Sequence, residues 1–470
     1  MSAAPVETVV VQPKRRWIEL VMLVIAWGAG YAGFLLTGLN TTGSLPADWQ
    51  VVGATWLGVI VACHLVVRLL IPYADPVILP VVVALNGIGL AMINRIDLIS
   101  DHNPHRMHAQ FIWTVLGMVL WALTLWVVRD VRRLQRFPYL LFLVGLVLLL
   151  LPIVPGLGMG KYGARIWIHL GPYSFQPAEV AKVVLVIAFA GYLVDTRDVL
   201  SSAGHRVLGV TFPRARDLGP IAVMWLVSML VIVYENDLGT ALLFFGMFVM
   251  MLYVATERVG WVVLGALSFA VGAWAALTFV GHVKVRINAW LHPFSDFEQN
   301  RQVIEAQYGM AWGGLAGRGW GLGRPGLVPL SWSDFIFSSL GEELGVTGMF
   351  ALIVLYGLLV FRGLRAALAC RDAFGKLLAA GLSFVMALQV FAIIGGVTRL
   401  LPLTGLTTPF MSQGGSSLVA NWVVVALIML VSHQNRRPVE QYVVTTPMAA
   451  EAGDETTVLP ATGTPRREAR

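Results

Sequence analysis

"KRRWIELVMLVIAWGAGYAGFLLTG", residues 14–38, begins with three cations and then continues from residue 17 to 38 with Glu19 as its one charge. An apolar helix of about 20 residues is what a hydrocarbon core of roughly 30 Å demands. A secretory leader would have a shorter apolar region followed by a small-residue cleavage site. Neither is evident, so the run reads as a retained membrane-spanning helix. Eleven further runs of the same character follow, near residues 51–71, 76–96, 108–129, 138–156, 177–194, 217–234, 238–255, 259–281, 334–361, 377–401 and 415–432. The pattern predicts an all-α polytopic integral membrane protein with about twelve transmembrane helices. Composition agrees, since the 470 residues are 57% hydrophobic and 13% charged, against about 25% charged in a soluble domain.

Orientation follows from Lys and Arg in short loops. Arg129, Arg132, Arg133 and Arg136 follow the fourth run, and Arg197, Arg206, Arg214 and Arg216 the sixth. Arg362, Arg365, Arg371 and Lys376 follow the tenth, and Arg436 and Arg437 the twelfth. All fall on one side, which is expected to be cytoplasmic and to hold both termini, including residues 1–16. The formal charge of +7 is thereby a topology signal, and no nucleic acid partner is expected. Loops 157–176, 235–237, 282–333 and 402–414 are then extracytoplasmic. The loop 282–333, between the ninth and tenth spans, is far longer than the usual connection of about 4–6 residues, and its aromatic residues argue against disorder. Residues 436–470 read as a disordered cytoplasmic tail. Cys63 and Cys370 are too few and too separated for a disulfide framework.

Several stretches carry possible chemistry. "FQPAEVAK" (175–182) puts Glu179 and Lys182 on one face of a helix start, as a cap with a self-neutralising pair or as a substrate-positioning pair. "ENDLGTA" (235–241) places Asp237 as a helix cap. "SWSDFIFSSLGEELG" (331–345) brings Asp334, Glu342 and Glu343 together; if all are helical, Asp334 and Glu342 are offset by about 80° and face one cavity. "GGLAGRGWGLGRPG" (313–326) formally contains GxGxxG, but no strand precedes it, so that match is accidental. Arg318 and Arg324 there suit an anion, and a flexible loop is the plainer reading. "TPFMSQGGSSL" (408–418) places Ser412, Gly414, Gly415 and Ser416 at a helix start, as an ordinary cap or an anion site. No GxxxxGK, HExxH, CxxC or GxSxG is present, and the histidines lack ligand spacing.

"GARIW", "FQPAEVAK", "DLGTA", the stretch from Arg286 through "WLHPFSD", "DFIFSSLGEELG" and "LPLTGLTTPFMSQGGSSL" resemble, in order, the signatures of the SEDS family, the RodA and FtsW proteins. The likeness spans roughly residues 76–435, with residues 17–75 an added amino-terminal hairpin on a ten-helix core. "TTPFMSQGG" and the basic, Ala-rich tail resemble the actinobacterial RodA branch. The resemblance implies a peptidoglycan glycosyltransferase that polymerises lipid II at the outer face of the cytoplasmic membrane during elongation and shape maintenance. Its implied partners are a class B penicillin-binding protein and undecaprenyl-linked glycan held among membrane lipid. A division enzyme of FtsW type and a lipid II flippase or transporter are the alternatives.

Matched residue by residue, Asp296 stands at the family's essential loop aspartate, and Arg286 at the arginine ten residues before it. Gln302, Glu179, Lys182, Asp334, Glu342, Glu343, Ser412, Gly414, Gly415 and Ser416 match other motif positions implied to bind substrate. Gln413, Glu305 and "END" depart from the usual Tyr, Gln and "QPD". The implied mechanism makes Asp296 a general base toward the acceptor 4-hydroxyl, its basicity raised by burial beside Trp290 and Phe294. Arg286, Arg301, Arg318 and Lys182, with a divalent cation (Mg or Mn) as a candidate cofactor, are expected to meet the diphosphate leaving group.

Overall fold

The computed structural model describes residues 14–438 apart from 101–104, 162–163, 172, 202–204, 208–209, 213–225 and 227–236. Among the described residues ten helices are long and apolar enough to cross a membrane, which makes the chain a multi-pass membrane protein. They are α1 (Arg16–Thr42), α2 (Trp49–Leu70), α3 (Ile78–Asp97), α4 (Arg106–Val128), α6 (Pro177–Ser201), α7 (Leu238–Thr256), α8 (Val259–Phe279), α11 (Ile336–Leu368), α12 (Ala373–Val397) and α13 (Gly415–Arg436).

Two of the twelve expected spans are not among them. The run 217–234 lies outside the described residues. The run 138–156 forms a shorter α5 (Pro138–Leu150) and a 3-10 turn, Leu151–Ile153. Thirteen helical residues reach about 20 Å, and Pro152 lacks the N–H that would continue the ladder.

The chain is mostly helical, as expected, and carries two small antiparallel additions. Between α5 and α6 lies an antiparallel sheet of β1 (Gly158–Lys161), β2 (Ala164–Leu170) and β3 (Tyr173–Phe175), with Ile168 opposite both Gly158 and Phe175. In its middle strand Ile166 and Ile168 alternate with Arg165, Trp167 and His169, a period-2 pattern too short to register as a span. A second hairpin joins β4 (His205–Val207) to β5 (Val210–Phe212). The stretch 282–333, read as one long loop, is mostly helical. It contains most of α9 (Gly281–Leu291), a 3-10 turn Pro293–Ser295, α10 (Phe297–Gly313), and a glycine-rich turn ending at Pro325–Leu327.

Helices α3, α6 and α13 are enclosed over more than four-fifths of their apolar windows, whereas α8 is enclosed over 6%. Large apolar side chains left bare on α1, α4, α5 and α8 form the lipid-facing belt. The amino-terminal hairpin is seated by a glycine seam. A Cβ on Gly30 of α1 would lie 2.8 Å from Gly87 Cα of α3 and 2.6 Å from the Trp56 ring of α2, so small residues there allow the backbones to approach.

The described arginines of the short loops gather at one end of the bundle. Arg362 and Arg436 meet at Asp75, 3.5 and 2.6 Å away, Arg132 meets Asp372 at 3.4 Å, and Gln434 donates to the Arg129 carbonyl. The sheet β1–β3, α9, α10 and the glycine-rich turn follow from the opposite ends of the spans.

Candidate active site

Helix α9, the first turns of α10, the turn before α11 and the chain after α12 enclose a cavity of about 300 Å³. Its lining includes Arg286, Trp290, Gln299, Gln302, Asp334 and Arg399. Three of the residues singled out in the sequence, Arg286, Gln302 and Asp334, are thus brought together. Arg286 is fixed by its bond to the Thr404 carbonyl at 3.2 Å.

Arg399 was missed, because it sits near the end of an apolar run that read as a span. The one available signal was a charge at a span end. Its backbone is left-handed at φ 60°, a strained state for a side-chain-bearing residue. Two reciprocal bonds hold it, Trp290 Nε1 to its carbonyl and its own guanidinium to the Trp290 carbonyl, both 3.0 Å.

Asp334 is not on α11, which begins at Ile336, but in the turn before it. Burial pushes its carboxyl above the usual carboxylate range, against the Ser333 hydroxyl, which donates to it at 2.9 Å, and the Arg286 charge. The expectation that Asp334 and Glu342 face one cavity therefore fails: the 80° offset assumed a helix running through both residues.

Glu342 and Glu343 point instead to the glycine-rich turn. Glu342 Oε1 accepts from Arg324 N at 2.8 Å. Glu343 accepts from Gly321 N at 2.9 Å and pairs with Arg95 of α3 at 3.1 Å, while Arg95 also donates to the Gly323 carbonyl. Arg318 stacks on Trp312, 4.7 Å from the ring centroid, and with Arg324, Glu305 and Glu342 lines a smaller cavity of about 220 Å³. The turn read as flexible is pinned.

Asp296 caps α10. Its extended backbone (φ −145°, ψ 102°) turns its Oδ1 onto Gln299 N at 3.1 Å. It is exposed, Phe294 is 67% exposed, and the burial expected beside Trp290 and Phe294 is not found. The carboxylate stands at the start of the helix whose next two turns supply Gln299 and Gln302 to the cavity.

Glu179 and Lys182 form a buried pair at 2.8 Å, and Lys182 Nζ also donates to Gln389 Oε1 at 2.9 Å. Gln389, another residue missed from sequence, donates onward to the Thr407 carbonyl at 2.9 Å. The pair therefore braces the 404–407 segment that carries Arg286's acceptor. Asp237 caps α7 through Thr240. Its carboxyl is raised by burial, held back by the Thr240 bonds, raised further by Glu179 and lowered by Arg286. Arg286 is thus the cation shared by the Asp237 and Asp334 environments.

The "SQGGSS" stretch is largely committed to internal bonds. Ser412 Oγ donates to the Ser333 carbonyl and accepts from Thr408 N, Gln413 N donates to the Trp332 carbonyl, and Gly414 N donates to Gln110. Ser416 Oγ accepts from Gln176 N, and a Cβ on Gly415 would strike Trp113. Of the two readings left open, the helix-start reading fits these bonds, which tie α13 to the Asp334 turn. Among the described residues no group of three or more His, Cys, Asp or Glu could hold a metal ion.

The family model described as "Cell cycle protein", for FtsW, RodA and SpoVE, matches residues 76–437. The chain is 44% identical over 441 residues, 93% of its own length and 94% of the relative's, to a protein of Mycobacterium tuberculosis named peptidoglycan glycosyltransferase RodA. Its identity to the Mycobacterium leprae protein of the same name is 41% over 432 residues, covering 91% and 92%.

Among solved structures it is similar to a chain from "Structural coordination of polymerization and crosslinking by a peptidoglycan synthase complex" (28% identity, TM-score 0.63, covering 77% of this chain and 98% of that one). It is also similar to Thermus thermophilus rod shape determining protein RodA (27%, TM-score 0.53, covering 77% and 97%). A match over 93% cannot be reached without much of residues 1–75, so the mycobacterial relatives share part of the amino-terminal hairpin. By its sequence and its fold, the chain belongs to the FtsW/RodA/SpoVE family.

Proposed function

We propose that the protein is a peptidoglycan glycosyltransferase that polymerises lipid II into glycan strands at the outer face of the cytoplasmic membrane, during elongation rather than division. The observation that carries the reading is the convergence of Arg286, Arg399, Gln302 and Asp334 in one cavity at the end of the bundle opposite the loop arginines. The activity also follows the names of the relatives, and RodA rather than FtsW is the name of the relatives at 44% and 41% identity. The likeness to a chain of a peptidoglycan synthase complex supports a class B penicillin-binding protein as partner.

In this reading the acceptor's 4-hydroxyl attacks the anomeric carbon of the donor. The C–O bond to the diphosphate breaks as the new glycosidic bond forms, and Asp296 takes the hydroxyl proton. One base on the attacking face suffices for inversion, as in inverting glycosidases. Arg286 and Arg399 face the leaving diphosphate, whose growing charge they offset in a partly dehydrated site. A divalent cation would arrive with the diphosphate and be held by it and by one or two carboxylates, the usual mode for Mg. The polar groups crowd one end of the bundle rather than its middle, which favours interfacial chemistry over transport.

Asp296→Asn is the informative variant, since Asn caps a helix as well as Asp but is no base. Purified with its partner and given lipid II, it is expected to keep the wild-type melting temperature and to lose glycan-chain formation by at least about 100-fold. Chains of normal length and rate on a glycan gel would refute the assignment of the base. A liposome flip assay run beside the gel separates polymerase from flippase.

A further inference from the structure

At the arginine-rich end, the start of α1, the turn before α3, the end of α13 and the later part of α11 enclose a cavity of about 530 Å³. Arg15, Arg16, Arg362, Arg365 and Arg436 line it, with Tyr73. Two carboxylates answer these five cations. Asp75 takes Arg362 and Arg436, and Glu19 takes Arg16. Among the described residues Arg15 and Arg365 have no acidic partner within ion-pair distance, so the cavity has a surplus of positive charge. Arg16 is only 8% exposed, and its Nε, like that of Arg362, is buried with no hydrogen-bond acceptor. A buried donor left without an acceptor is destabilising. The surplus charge of this cavity suits an anion with several acceptor oxygens, the group that planar guanidinium donors match.

The flank identifies the kind of anion. Ile18 lines the cavity and is half exposed, and Trp17, Val21 and Ile25 continue the bare apolar face along α1. An inorganic phosphate would use the cations and leave that face untouched, whereas a phospholipid would use both. We propose that this cavity binds the phosphate of an anionic membrane phospholipid, with the headgroup among the five arginines and the acyl chains along the exposed face of α1. Arg15 and Arg16 precede residue 76, where the family match begins, so the site is a composite of the hairpin and the family core. It gives the hairpin a task separate from catalysis, and it stands whether or not the transferase reading does.

The test uses the full-length protein in detergent. Native mass spectrometry counts adducts of dioleoylphosphatidylglycerol and dioleoylphosphatidylcholine, with inorganic phosphate added in a separate arm. Wild type is expected to retain phosphatidylglycerol in preference to phosphatidylcholine. Arg15→Gln with Arg365→Gln, both exposed side chains without acidic partners, is expected to weaken that retention about tenfold to thirtyfold, two basic residues' worth of attraction. Arg133→Gln with Arg371→Gln removes equal charge from exposed positions outside the cavity and is expected to change nothing. Equal retention of the two lipids by wild type, loss in the control pair equal to that in the cavity pair, or displacement of lipid by millimolar phosphate would overturn the proposal.

Discussion

Asp334 stands where burial works against its own charge, with only the Ser333 hydroxyl and the Arg286 guanidinium in compensation. A carboxyl raised in the folded state adds stability below its unfolded value near 3.9 and loses that contribution as pH climbs through the folded value. Wild type should therefore soften from this group as pH rises, and Asp334→Asn should not. The melting difference between the two is expected to be near zero at about pH 4 and to open in favour of the variant toward pH 8, while glycan formation falls. A gap of constant size across that range would show that the carboxyl is already ionised in the fold at low pH. Stability held back at a cavity residue is the usual cost of a working site. Asp296 presents the opposite case: exposed and committed only to a helix cap, its removal should be cheap for the fold and severe for turnover. The candidate list was legible in the sequence because charge at a membrane boundary is rare. Which candidates share a cavity was not, since that depended on α11 beginning two residues after Asp334.

A single backbone break organises the glycine-rich turn. Gly345 adopts φ 69° inside α11, a left-handed state open to glycine and costly elsewhere. The break frees the carbonyls of Glu342 and Glu343, which accept from Arg318 N at 3.1 Å and Gly319 N at 2.8 Å. Val346 N and Thr347 N turn instead to the carbonyls of Gly314 and Leu315. Turn and kinked helix thus satisfy each other, and the two glutamate side chains and Arg95 close the arrangement from below. None of this is local in sequence, which is why a glycine-rich stretch read as flexible. The spans, by contrast, were legible from hydropathy alone because each satisfies its own backbone. Gly345→Ala would bring a Cβ to 2.2 Å from Gly317 N, and a sharp loss of folded yield in size-exclusion chromatography is expected. Glu343→Gln leaves Arg95 without its counter-charge and should cost about 3–5 kcal/mol, read as a lowered melting temperature. Arg95→Met combined with Glu343→Met should restore much of it. A double variant as unstable as the single one would mean that the geometry around the pair matters more than its charge.

On the scale of the whole molecule, α1 is a strut between the two ends of the bundle. Its 27 residues run about 40 Å. Arg16 enters the arginine cavity at one end, and near the other Asn40 donates to the Trp320 carbonyl of the glycine-rich turn at 2.6 Å. Between them the helix is set by the Gly30–Gly87 seam. Gly30→Leu would drive a side chain into Trp56 and α3, an overpacking worth about 1–3 kcal/mol, and the helix must lift away from α3 to admit it. Gly28→Leu is its control, on the same helix with nothing within 4 Å of the added carbon. If α1 is held as one rigid rod, Gly30→Leu should lower the melting temperature, weaken phosphatidylglycerol retention, and speed tryptic cleavage after Arg318 in the glycine-rich turn. Gly28→Leu should leave all three at wild-type values. Cleavage unchanged while retention falls would show that α1 bends at the seam, and that the turn is held by Arg95 and the kinked α11 without help from the hairpin.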